Sequence, residues 1–120
     1  MITLKVDEAY AFDYLSILEV KKEKTHDSSE WLDCMHHLAS QFDFDFFQKM
    51  MFSKEYQDMI KANKLTFEAV DKAKTNEVTA KDVDYCNFQR HLAKENFQRK
   101  FFGSNLSEKK RGCEKYLQVK

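Results

Sequence analysis

Three polar residues close together in the chain are the first candidates for chemistry. Asn87, Arg90 and Lys94 stand at i, i+3 and i+7, so on a helix they share one face. A guanidinium fork beside an ammonium suits a carboxylate, a phosphate or a sugar-nucleotide, which would make this face an anion-binding site. The same triplet also suits a polar seam between helices, paired with acids of the first helix such as Asp13 or Glu19. The seam is preferred, because no glycine-rich loop accompanies the triplet to cradle a phosphate.

Paired carboxylates are the second candidate. Glu30/Asp33, Glu55/Asp58 and Glu68/Asp71 each follow the pattern Glu-x-x-Asp, which sets two acids on one helix face. Helical nucleotide pyrophosphohydrolases use such pairs to hold Mg²⁺ against phosphates, and the oxygens must then converge inside the bundle. Here the expected inward positions are Trp31, Met35, Tyr56, Met59, Phe67 and Val70. The acids fall beside those stripes, where salt bridges to lysine are expected.

Cysteine and histidine supply little more. Cys34 and His37 are one turn apart, but Cys86 and His91 are poorly aligned, and a zinc site needs four ligands in tight spacings. No metal, no cofactor and no nucleophilic serine motif is expected. Three widely spaced cysteines, Cys34, Cys86 and Cys113, suit reduced thiols in a cytoplasm better than a disulfide framework.

Composition restricts the scaffold that must position these residues. The 120 residues contain no proline and two glycines, so a fold built on many tight turns is disfavoured and helices are expected. Eleven Phe, five Tyr and one Trp provide the bulk for one core and one domain, residues 1–120. Twenty basic and twenty acidic side chains cancel, which argues against a nucleic-acid partner. The runs Lys109-Lys110-Arg111 and Lys21-Lys22 are short and read as solvated helix ends. No apolar run approaches the roughly 20 residues that cross a bilayer, and no signal peptide is evident at Met1–Asp7.

Capping signals divide the chain into segments. Asp7 opens a first helix to about residue 24, with Ala11, Tyr14, Leu15, Leu18 and Lys22 on one face. Ser28 and Ser29 open a second, carrying Trp31, Met35, Leu38 and Phe42. The stretch Gln41–Phe47 alternates Phe and Asp as a strand would, yet lacks flanking turn signals and is kept helical. Ser53 caps a third helix, with Tyr56, Met59, Ile60, Asn63, Phe67 and Val70 as its stripe. Thr79 and Asp82 form a capping box for a fourth, which stops at Gly103. A short last helix starts at Ser104 or Ser107 and runs through Tyr116.

Two of these segments resemble a bacterial domain of unknown function, found alone or attached to glycosyltransferase-like and repeat-containing proteins. Asp13-Tyr14-Leu15-Ser16-Ile17-Leu18-Glu19-Val20-Lys21 is similar to its N-terminal signature. Asn87, Arg90 and Lys94, followed by Glu108 and Lys110, are similar to its C-terminal one. Together they cover about a third of the chain, and the Phe-rich middle has no counterpart. The resemblance implies a helical fold and transfers no catalytic residue.

The expected architecture is an all-α antiparallel bundle of about four helices with a short C-terminal helix. The expected role is a cytoplasmic protein-interaction or scaffold module without catalysis. The alternatives are a Mg²⁺-dependent nucleotide pyrophosphohydrolase and an anion- or phosphosugar-binding module. Phe44, Phe47, Met51 and Phe52 exceed what one helical face can bury, so they are the interface candidates. Self-association into a homodimer is the simplest use of that surface, with a protein partner as the other.

Overall fold

The structure, a computed structural model, describes residues 1–2 and 5–103. Five helices follow one another: α1 (Glu8–Thr25), α2 (Ser29–Ala39), α3 (Phe44–Met51), α4 (Lys54–Lys74) and α5 (Ala80–Phe101). No strand occurs among the described residues, so the all-helical bundle read from the sequence is the fold. The short helix expected from Ser104 or Ser107 to Tyr116 lies outside the described residues.

Local chemistry sets most of the helix ends. The capping box of α5 is reciprocal: Thr79 Oγ1 accepts from the Asp82 N–H, and Asp82 Oδ2 accepts from the Thr79 N–H at 2.9 Å. Ser53 Oγ accepts from the Tyr56 N–H at 3.0 Å and starts α4. At the far end of α5, Gly103 has φ +72°, and its N–H donates to the Gln98 carbonyl. Two expected caps differ in detail. Asp7 holds the cap position of α1, but its side chain makes no capping hydrogen bond there. Ser28 likewise makes none for α2; instead Asp27 Oδ1 accepts from both the N–H and the hydroxyl of Ser29.

The largest departure from expectation is in the Phe-rich stretch. Gln41–Phe47 is not continuous helix: the chain turns between Ala39 and Phe44, and Asp43 Oδ2 accepts from the Phe46 N–H to open α3. A continuous helix would point Phe42 and Phe44 in nearly opposite directions, with one of the two faces unpacked. The turn lets Phe42, Phe46 and Phe47 all face the core.

Helix direction follows from the pairs that meet. Residues of α1 and α5 meet in opposite order, Ala9 with Gln98 and Asp13 with Arg90, so these helices are antiparallel. The short connection between α4 and α5 and their extensive packing make them antiparallel too. It follows that α1 and α4 run in the same general sense, with α2 and α3 forming the crossover between them. Alternation is therefore kept between α4 and α5 and given up between α1 and α4.

Phe12 sits at the centre with no exposed surface. Its ring lies 4.9 Å from Phe97, 5.7 Å from Phe42, 6.1 Å from Phe47 and 6.5 Å from Tyr56. Each such ring contributes about 1.5–3 kcal/mol through burial. Around it α1 is covered by α2, α4 and α5, so a wide sector of α1 is buried, not a narrow stripe. Tyr14, expected inside, is exposed; Asp13 and Ser16 are inside.

Candidate functional site

Four polar side chains from three helices meet where α1 crosses between α4 and α5. Arg90 Nη2 donates to Asp13 Oδ2 at 2.9 Å. Asn63 Nδ2 lies within hydrogen-bond distance of Asp13 Oδ1 at 3.0 Å, Ser16 Oγ at 2.7 Å and its own helix at the Met59 carbonyl. The Ser16 hydroxyl donates to the Asp13 carbonyl. Asp13, Ser16 and Asn63 are buried and Arg90 is half-buried, so the cluster is largely screened from water. Such groups stay inside only when they satisfy one another. Among them, Arg90 Nε has no hydrogen-bond partner among the described residues.

The three residues singled out for anion binding lie on one rim of this cluster. Arg90 is committed to Asp13, one of the two acids the seam reading named. The Lys94 ammonium rests 4.0 Å from the centre of the Tyr10 ring, a cation–π contact. Asn87 is exposed. Together with Asp13 and His91 they border a recess of about 100 Å³. His91 itself stands 3.3 Å from Glu95 one turn later. The recess can hold a few waters or one small anion. On the other side of Arg90, Asn87 and Asn63 also border a more apolar recess of about 260 Å³ lined by Ile17, Phe67 and Val70.

Two further side chains tie α1 down through three hydrogen bonds. Gln98 Oε1 accepts from the Ala9 N–H at 2.8 Å, while Gln98 Nε2 donates to Glu8. The buried Tyr56 hydroxyl donates to Glu19 Oε2 at 3.2 Å. Burial, then the neighbouring Glu19 carboxylate, push the Tyr56 hydroxyl well above its ordinary range, so it remains a donor. Asn63 stood on the expected stripe of its helix, and a polar residue on an apolar stripe was the available signal for it. Ser16 and Gln98 carried no signal of their own.

The paired acids stay on the outside. Glu30 lies near Lys21, Asp58 near Lys54 and Asp71 near Lys74, each at an exposed ion pair. No three His, Cys, Asp or Glu side chains among the described residues converge as metal ligands would. Burial, then the neighbouring Asp33, raise the Cys34 thiol above its usual range, which disfavours the thiolate a nucleophile needs. His37 is exposed.

The interface candidates divide. Phe47 is buried against Phe12 and belongs to the core, so it is unavailable to a partner. Met51 is half-buried. Phe44 and Phe52 are 70% and 80% exposed. Phe44 and Gln48 on α3 and Phe52 just after it follow i, i+4 and i+8 and are exposed, while Met51 packs against the core. No helix among the described residues is long and apolar enough to cross a membrane. Comparisons of the chain with family profiles, curated proteins and solved structures find no match.

Proposed function

We propose that this chain is a cytoplasmic helical protein-interaction module without a catalytic role, and that the outer side of α3 is its contact surface for another protein. One observation carries the reading: Phe44 and Phe52 stand almost fully in water while neighbouring Phe42, Phe46 and Phe47 pack inward. Two large exposed rings, one opening a short helix and one just past its end, are the kind of anchor that fills pockets on a partner. The interior polar groups, by contrast, are taken up mainly with one another and position no reactive group. The resemblance of the first and last helices to a domain attached to glycosyltransferase-like proteins points to a partner of that kind.

A photo-crosslinking residue at Gln48, between the two rings, tests this in cells. A discrete adduct with another protein is expected, and it should vanish when Phe44→Asp and Phe52→Asp are combined. No adduct, or one indifferent to those changes, overturns the reading.

The recess beside Arg90 supports a second reading, a small-anion site formed by Asn87, Arg90 and Lys94. Titration with inorganic phosphate, followed by amide shifts of α5, tests it; unmoved Arg90 and Lys94 resonances would sink it. Nothing in the placement of the acid pairs favours the nucleotide hydrolase.

A further inference from the structure

The side of the α4–α5 pair away from α1 is a groove of about 420 Å³. Its floor is made by small residues, Ala62 on α4 and Ala93 on α5, which let the two helices approach closely. The α5 wall is Tyr85, Gln89, Leu92 and Asn96, at i, i+4, i+7 and i+11. Those four form an uncharged line in a chain of which 33% is charged. Tyr85 is 64% exposed, and Leu65 on the opposite wall is 49% exposed.

The α4 wall shows what fits there. Asp58, Lys61 and Leu65 line it, and Glu68 and Lys72 continue the same line beyond it, all five within about 80° of one another around the helix. In chain order they read negative, positive, apolar, negative, positive. Turned end for end, the same line reads positive, negative, apolar, positive, negative. An antiparallel copy therefore sets opposite charges against each other on both sides of Leu65, whereas a parallel copy would set Asp58 against Asp58. The chain's zero net charge leaves no overall repulsion between copies.

We infer that two copies of this chain pair across the α4–α5 groove about a two-fold axis near Leu65, with the two α4 helices antiparallel. Asp58 of each copy then faces Lys72 of the other, and Lys61 faces Glu68. Each α4 enters the groove of the other copy, and four helices close around Leu65, Leu92 and Tyr85. The contact is isologous, so it ends at two copies. The Phe surface of α3, which the sequence suggested for self-association, remains free for another protein.

Charge exchange in the full chain tests the pairing, with sedimentation equilibrium over a micromolar concentration series as the readout. The wild-type chain is expected to dimerise. Lys61→Glu places like charges opposite each other and should weaken the dimer about ten-fold. Adding Glu68→Lys to the same chain should restore most of that loss, and Leu65→Asp should abolish the dimer. Lys61 and Leu65 are exposed and Glu68 is half-buried, so unchanged circular dichroism is expected throughout. A chain monomeric at every concentration overturns the proposal. So does a dimer indifferent to Leu65→Asp, one dissolved by Phe44→Asp instead, or a Lys61→Glu loss that Glu68→Lys does not repair.

Discussion

The Asp13 carboxylate joins α1 to two helices at once, with Oδ2 on the Arg90 guanidinium and Oδ1 on the Asn63 amide. It is a buried acid to which both α4 and α5 bring a donor. Removing it strands the half-buried Arg90 guanidinium, while the Asn63 amide keeps Ser16 Oγ and the Met59 carbonyl as acceptors. Asp13→Ala is expected to lower stability to urea by about 2–3 kcal/mol, below the full cost of breaking a buried pair because Arg90 keeps some water. Joint replacement by Asp13→Leu and Arg90→Met should recover most of that loss, since apolar groups of similar size leave nothing unpaired. A double variant as unstable as the single would show that the pair itself, not its disruption, matters.

The two kinds of Phe in α3 should separate cleanly on mutation. Phe47→Ala opens a cavity beside Phe12 and is expected to cost about 3–5 kcal/mol. Phe44 and Phe52 are largely exposed, so Phe44→Ser and Phe52→Ser should stay within about 0.5 kcal/mol of wild type. Thermal or urea melts of the three variants decide it. A large loss at Phe44 would place that ring in an interface even in the isolated protein.

Acid should loosen two helix starts before it unfolds the bundle. Hydrogen bonds from Ser29 hold the Asp27 carboxyl below its ordinary value of 3.8, and bonds from Thr79 do the same for Asp82. For a carboxyl lowered in the folded state, the stabilisation is fully present above the ordinary value and is lost as pH falls through the lower folded one. Amide exchange in the first turns of α2 and α5 should therefore show steady protection down to about pH 4 and lose it below. Asp82→Asn should remove that dependence at α5 alone; an unchanged acid profile would refute the assignment.

At the alkaline end the sign reverses. The Tyr56 hydroxyl is raised above its ordinary value of 10.0 by burial and by Glu19. Its neutral form is favoured in the fold, so stability is retained below the ordinary value and lost as pH climbs toward the raised folded one. Tyr56→Phe is expected to cost about 0.5–1.5 kcal/mol near neutrality through the lost hydrogen bond. It should also flatten the alkaline fall in melting temperature. A variant with the wild-type alkaline slope would locate that titration elsewhere.

Most of the framework was legible before any coordinates, because capping chemistry is local. Ser53, Thr79 with Asp82, and Gly103 each act on residues within a few positions, and each does what its type suggests. The turn before Asp43 was hidden for the opposite reason. Nothing around it is glycine or proline, and the force that bends the chain is the demand of Phe42, Phe46 and Phe47 for one distant core. The Arg90 partner was legible as one of two acids, since charge complementarity names candidates without placing them. Asn63 is marked by its place on an apolar stripe, but Ser16 and Gln98 act through contacts far apart in the chain, which periodicity does not register.

The clasp of Gln98 on Ala9 and Glu8 spans nearly the whole described chain. During synthesis α1 is made well before α4 and α5, which cover much of its inner face and satisfy Asp13. Until α5 clears the exit tunnel, Phe12 lacks the Phe97 ring that lies 4.9 Å from it. The α4–α5 hairpin, whose contacts are short-range, can form as soon as it is synthesised and then receive α1. A nascent chain of this protein is thus open to chaperones, and to wrong partners, along α1 until α5 is in place.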